Sequence, residues 1–368
     1  MPRTDRLLRG LLVLGLISFT ACTNPTEVDH APRSPIVSAP SEAPPQVTPR
    51  TTLDLRLFVD GTIIVVTDGK GTTVARWPSA TAPYEPPVEA RHGFVGLTYA
   101  RRGQALWYVT ARGARRLASP VSQGFGVSAL GRYVAFGKTD LTSRRGSTRL
   151  VLLGGRGFTR VEAETVLPNV HAVARGFVGP DVFVGWGDGG AVSLGVWHPA
   201  SGTVTKLPAY TGAGPTDQVS GRVVLYQGDG GCCWGITTWP ARVWPSRDRG
   251  ADCSMCSMAF SPSGLLLAGI SGIVDSGSTG GLRNRVLVKD AADAKTVFRS
   301  PPMPGAFQVA WEDESRLLVL AREQGGGAVL WRCDLDRRRC ESVWALGNGS
   351  ERYGAWIVPK SPSALGGR

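Results

Sequence analysis

Four histidines, one run of three acids and seven cysteines are the side chains of this sequence whose types could support chemistry. His30 lies in a Pro-rich stretch, which leaves His92, His171 and His198, each at the edge of an apolar run or turn. None has an acid at ligand spacing in the chain, and such histidines hold a metal or move a proton only where a fold gathers them. Glu312, Asp313 and Glu314 follow Trp311. On a funnel face they could form a cation site or a general base, whereas in a turn between two strands they are solvated. The turn reading is preferred, so His92, His171, His198, Glu312 and Asp313 are the catalytic candidates only if the chain is an enzyme. Gly-x-Ser-x-Gly, His-Glu-x-x-His and Walker-type loops are absent, so no metal or cofactor is expected.

The cysteines point to a disulfide framework. Cys333 and Cys340 flank the polar stretch Asp334 to Arg339 between two apolar strands, and are expected to bond across a hairpin. Cys232, Cys233, Cys253 and Cys256 form a second group. The Cys253-x-x-Cys256 spacing suits zinc, but neighbours in a strand point to opposite faces, so Cys232 and Cys233 cannot readily ligate one ion. Two disulfides of unread connectivity are the preferred reading in an oxidising compartment.

The N-terminus supplies that compartment. Arg3, Arg6 and Arg9 precede an apolar run from Leu11 to Phe19, the layout of a secretory signal peptide. The run is far shorter than the ~20 residues of a spanning helix. It ends Phe19-Thr20-Ala21-Cys22, which resembles the lipobox of bacterial lipoproteins, with Phe19 in place of the usual aliphatic residue. The resemblance implies a signal peptide over 1–21 and a lipid-modified Cys22 carrying a diacylglyceryl anchor on the extracytoplasmic face of the cell membrane. Residues 22–50 are rich in Pro, Ser, Ala and Thr and read as an extended stalk.

The formal charge of +12 invites an anionic partner. Only six lysines, at 70, 138, 206, 289, 295 and 360, stand among 41 basic residues, a composition typical of a GC-rich genome. The arginines are scattered along the chain, with Arg337-Arg338-Arg339 the longest run. No nucleic-acid partner is expected outside the cell, whereas weak attraction to anionic lipid or wall polymers is open.

The elements that would position these residues are strands. Short β-branched and aromatic runs, such as Thr62 to Thr67, Val182 to Trp186 and Arg222 to Tyr226, alternate with Gly, Asp, Pro and Ser. The segment ending Gly187-Asp188-Gly189-Gly190 recurs as Gly228-Asp229-Gly230-Gly231, with 229 − 188 = 41 between them. Polar turns centre near Gly69, Gly113, Gly155, Ser201, Asp248, Ala292 and Asp336, at the ~40–50-residue period of propeller blades. Phe260-Ser261-Pro262-Ser263-Gly264-Leu265 resembles the strand-turn-strand start of TolB-like propellers, with Ser263 in place of an Asp.

The expected fold over 51–360 is therefore an all-β, seven-bladed propeller of four-stranded blades, followed by a flexible tail at 361–368. The run Tyr353 to Val358 resembles the inner-strand run Phe307 to Trp311, and is expected to close the ring by joining the first blade. Most tryptophans fall inside strand runs, where blade packing accounts for them. The function expected is a monomeric, membrane-anchored binding or scaffolding lipoprotein whose propeller faces dock an envelope protein or wall polymer. The alternative is a hydrolase or lyase on glycans or peptides with a site in the central funnel.

Overall fold

The computed structural model describes residues 55–59, 62–67, 70–78, 86–100, 103–140, 146–188, 191–207, 210–218, 220–227, 233–239, 255–271, 284–322, 327–345 and 355–358. The chain divides into two units, Met1–Gln46 and Val47–Arg368. The first lies wholly outside the described residues, as do Cys22, Cys232, Cys253 and the side chains of Cys233 and Cys256. Among the described residues there is no helix; all regular structure is strand.

The first blade contains β1 (Leu55–Val59), β2 (Thr62–Thr67) and β3 (Lys70–Arg76). The second is β4 (Val88–Ala90), β5 (Gly93–Ala100), β6 (Gly103–Thr110) and β7 (Gly113–Val121). The third is β8 (Phe125–Val127), β9 (Val134–Asp140), β10 (Ser147–Gly154) and β11 (Arg160–Pro168). The fourth is β12 (His171–Val178), β13 (Asp181–Asp188), β14 (Ala191–His198) and β15 (Thr203–Leu207). The fifth shows three strands among the described residues: β16 (Gly212–Asp217), β17 (Arg222–Gln227) and β18 (Cys233–Thr238). The sixth is β19 (Cys256–Phe260), β20 (Leu266–Ser271), β21 (Arg285–Asp290) and β22 (Thr296–Arg299). The seventh is β23 (Ala306–Trp311), β24 (Arg316–Arg322), β25 (Ala328–Asp334) and β26 (Arg339–Ala345). Finally β27 (Ala355–Ile357) pairs antiparallel with β1 and becomes the inner strand of the first blade.

The protein is thus an all-β, seven-bladed propeller closed by its own C-terminal strand. The packing confirms the ring. Seven buried apolar clusters each occupy one seam between neighbouring blades. Alternate side chains on each strand face opposite sides of the sheet, so every blade feeds two seams. Trp197 and Trp234, both fully buried, fill the seams beside blades 4 and 5. As the inner strand of blade 1, the closing strand feeds both adjoining seams, with Ile357, 1 % exposed, facing blade 7 and Val358, 2 % exposed, facing blade 2. Blades 4 to 7 carry a β-bulge between their first and second strands, which adds local twist to the inner strands.

Third and fourth strands flank Gly69, Gly113, Gly155, Ser201, Ala292 and Asp336 as the spacing predicts, while Asp248 lies outside the described residues. The Ser261-Pro262-Ser263-Gly264 segment joins the first two strands of blade 6. Cys333 and Cys340 are directly opposed in β25 and β26 and form the expected disulfide, with a Cα–Cα distance of 4.0 Å.

Because neighbouring strands are antiparallel, links from first to second and from third to fourth strand emerge on one face, here the near face. Links from second to third strand, and from blade to blade, emerge on the far face.

Candidate functional site

This geometry separates the histidines. His92 lies in the β4–β5 turn and His198 ends β14, both on the near face, whereas His171 begins β12 on the far face. Among the described residues no three His, Cys, Asp or Glu side chains come together as a metal site would require. His198 does have an acid beside it. Its Nδ1 is 2.9 Å from Asp181 Oδ1, and its Nε2 is 3.1 Å from Thr205 Oγ1. Trp239 Nε1, from blade 5, donates to the other Asp181 oxygen at 3.3 Å. This relay ties three strands of blade 4 to blade 5. It lies outside both cavities described below.

The acidic run occupies the β23–β24 turn, and each member is engaged. Glu312 accepts from the buried Arg332 at 2.6 Å. Asp313 accepts from the Ser315 and Arg316 N–H groups, both at 2.9 Å, and from Arg316 Nε at 2.6 Å. Burial pushes the Asp313 carboxyl up, but the Arg316 guanidinium and these N–H groups outweigh it and hold the group below its usual range. Glu314 accepts from the Ser263 hydroxyl of blade 6 at 2.8 Å. Asp334 accepts from Arg337 N–H at 2.9 Å, and Asp336 is exposed. No described tryptophan is exposed; Trp197 and Trp234 are packing groups of the seams, and Trp311 and Trp356 line the central funnel.

Two cavities stand out among the described residues. The central funnel holds about 520 Å³ and is lined by inner-strand residues including Met258, Phe260, Phe307, Trp311 and Trp356. Of its charged groups, Arg56 pairs with Glu89 at 3.3 Å and Glu312 with Arg332, while Asp217 accepts from Ser220 N–H at 2.9 Å. Gln218 of blade 5 crosses to blade 3 at the near face, donating to Val127 O at 3.2 Å and accepting from Ala129 N–H.

The larger cavity, about 800 Å³, is a cleft on the near face at the seam between blades 2 and 3. Four links supply it: the β4–β5 turn with Arg91 and His92, the β6–β7 turn with Arg112, the β8–β9 link with Arg132 and Tyr133, and the β10–β11 turn with Arg156. Arg160 and Glu162 line its outer end and pair with each other at 2.7 Å. Among the described residues, Arg91, Arg112, Arg132 and Arg156 have no carboxylate partner. All four are exposed. Four unneutralised guanidiniums in a concavity produce a local positive potential that attracts anions.

The floor of the cleft is braced. Tyr108 is 8 % exposed, and its hydroxyl donates to Arg91 O at 2.9 Å. Its ring meets Phe158 edge-on at 5.1 Å across the seam. Burial pushes the Tyr108 phenol up, with Arg115 pulling partly back, so the hydroxyl stays a donor. Arg91 N–H donates to Gly131 O at 3.0 Å, and Arg115 donates to Gly157 O, both across the seam. Gly131 has φ +61°, and a Cβ there would lie 2.4 Å from Arg91 N, so only glycine permits this approach.

Sequence reasoning missed this site because its arginines are far apart in the chain. A signal was present: Arg91 and Arg132 are separated by 132 − 91 = 41 and Arg112 and Arg156 by 156 − 112 = 44, the blade period.

No protein-family model matches the chain, and no curated protein matches it. Solved propellers resemble it in shape. An acylaminoacyl peptidase from Pyrococcus horikoshii is 13% identical with a TM-score of 0.51, over 78% of this chain and 50% of that one. TolB from Acinetobacter baumannii is 13% identical with a TM-score of 0.45, over 83% of this chain and 66% of that one. A dihydro-heme d1 dehydrogenase is 16% identical with a TM-score of 0.49, over 85% of this chain and 77% of that one. The chain therefore spans half of the peptidase and 66% of TolB. At these identities the likeness concerns fold alone.

Proposed function

We propose that the chain is a membrane-tethered extracytoplasmic binding lipoprotein, acylated at Cys22, whose monomeric propeller docks an anionic envelope partner on its near face. The observation that carries this reading is the braced cleft of Arg91, Arg112, Arg132 and Arg156, whose one lining carboxylate, Glu162, pairs with Arg160 at its outer end. The Cys333–Cys340 disulfide supports an oxidising compartment. A rigid ring with a charged concavity suits recognition, and exposed turns can vary without cost to the seams.

The catalytic reading has one supporting feature, the Asp181–His198–Thr205 relay. It lies outside both the cleft and the funnel, where the acids Glu312 and Glu89 face arginines and Asp217 accepts from Ser220 N–H. Binding is the better-supported function.

The test is co-sedimentation of the full chain, in neutral detergent, with purified envelope fragments that retain their anionic polymers. Wild type should sediment at low salt and be released as salt rises. The double variant Arg132→Glu, Arg156→Glu should stay in solution. Sedimentation that ignores both salt and the charge reversal refutes the cleft as the docking site. Cys22→Ser, expressed in a bacterial host, should move the protein from the membrane to the soluble fraction.

A further inference from the structure

Apart from the cleft, we infer that the central funnel is a second binding site and takes a neutral sugar ring, stacked on Trp311 and Trp356. The lining is two-sided. Met258 and Phe260 of blade 6, Phe307 and Trp311 of blade 7, and Trp356 of blade 1 form an apolar arc over three successive blades. All five are half-buried, so part of each side chain stays open. The facing arc, from blades 2, 3 and 5, holds smaller and more polar groups, among them Glu89, Ser128, Thr216 and Gln218. No described residue of blade 4 lines the funnel; Gln218 reaches past that blade, from blade 5 to Val127 O of blade 3. The rings are fixed before a guest arrives. Trp311 Nε1 donates to Ala259 O of blade 6 at 2.9 Å. Trp356 meets Phe307 edge-on with ring centroids 5.8 Å apart, and the Arg322 guanidinium lies over Phe307 at 5.1 Å from its centroid. Rings already held in this way lose little side-chain freedom on binding.

Charge then selects the guest. Glu89 and Glu312 are neutralised by Arg56 and Arg332, and Asp217, the remaining lining acid, is 5 % exposed. A charged guest would give up its water here without gaining a free counter-ion. A purely apolar guest would strip water from the polar arc without replacing its hydrogen bonds. A pyranose ring does neither. Its axial C–H groups, slightly positive, stack on the negative face of an indole. Its equatorial hydroxyls, each both donor and acceptor, point outward to the polar arc. The space, about 520 Å³, falls within the range of small-ligand pockets.

The test is titration calorimetry of the full chain, in a polyoxyethylene detergent that carries no sugar, with three probes: an N-acetylglucosamine trisaccharide, a glucose trisaccharide and a neutral, capped Ala-Phe-Ala peptide. At least one trisaccharide should bind, more tightly than the peptide and with an affinity that does not change with salt. Trp311→Ala and Trp356→Ala should each weaken it by about tenfold, whereas Trp311→Phe and Trp356→Phe, which keep a ring, should retain most of the affinity. Arg132→Gln, in the cleft, should leave it unchanged. In wild type, saturation of aromatic protons should transfer to the axial C–H protons of the sugar, a readout that stands even where an alanine variant fails to fold. Sugar binding that both alanine variants leave unchanged lies outside the funnel and overturns the assignment. Preference for the peptide overturns it in favour of a peptide guest, and failure of both trisaccharides to bind at millimolar concentration overturns it outright. None of these results bears on the cleft, whose anion binding should persist in every folded funnel variant.

Discussion

Gln308 and Ile357 exchange two hydrogen bonds across the seam between the last blade and the closing strand. The amide nitrogen donates to Ile357 O, and Ile357 N–H donates to the amide oxygen, each at 2.7 Å. One side chain of blade 7 therefore acts as an extra strand partner for β27, which otherwise pairs only with β1.

Gln308→Leu removes both bonds while keeping side-chain bulk, and leaves two buried backbone groups unpaired. The expected loss is about 2–5 kcal/mol of stability, read from urea denaturation of the full chain. Deletion of residues 353–368 removes Trp356, Ile357 and Val358 from two seams and should cost more than the point variant. A truncated protein as stable as wild type would show that β27 does not close the ring.

His198→Ala breaks the relay between Asp181 and Thr205. Asp181, with its side chain 18% exposed, keeps the Trp239 bond but loses its imidazole partner. The expected cost is about 1–3 kcal/mol, with anion binding unchanged. Unchanged stability together with loss of a hydrolytic activity would move this relay from structure to chemistry.

Reduction, or Cys333→Ser with Cys340→Ser, opens a loop whose closure is worth about 2–3 kcal/mol in the chain-entropy description. Denaturation midpoints of wild type and the double variant should differ accordingly. The effect should be confined to the β25–β26 hairpin, because the Leu317 to Leu320 core of blade 7 lies on the neighbouring strand β24.

Asp313 gives the acid side of the stability profile a defined sign. Its carboxyl titrates lower in the folded chain than in the unfolded one, held down by Arg316 and two N–H groups against the opposing effect of burial. Its contribution is therefore present above the unfolded carboxylate pKa of about 3.9 and fades as pH falls through the lower folded value. Asp313→Asn should be less stable than wild type at neutral pH, and the two curves should converge as pH falls through the lower folded value. The difference is small because the pair is largely solvent-facing, its side chains being 36% and 42% exposed. A gap that widens in acid would contradict the assignment.

Much of this architecture was legible because a propeller repeats one local problem. Each blade needs polar turns at a fixed spacing, and Gly113, Gly155, Ser201, Ala292 and Asp336 mark them in the sequence. The closing strand was legible because Trp356 and its neighbours reproduce the pattern of β23. The His198–Asp181 contact was within reach as well. Counting outward along the β13–β14 hairpin from Asp188↔Ala191 to Val182↔Trp197 places residue 181 opposite 198. The cleft was not legible from local pattern. Its arginines lie on four turns of two blades, and they become one site only when the seam between blades 2 and 3 forms through Tyr108, Phe158 and Gly131. Charge runs in sequence report neighbours along the chain, and this field arises from neighbours across a seam.

Hydrogen exchange of the full-length protein, with and without saturating envelope polyanion, tests the central claim most directly. The account predicts protection concentrated at residues 91–92, 110–113, 131–133 and 155–158, with the far-face links around His171 and Gly146 unchanged. Protection confined to the funnel or the far face, with those four turns exchanging as before, would contradict it.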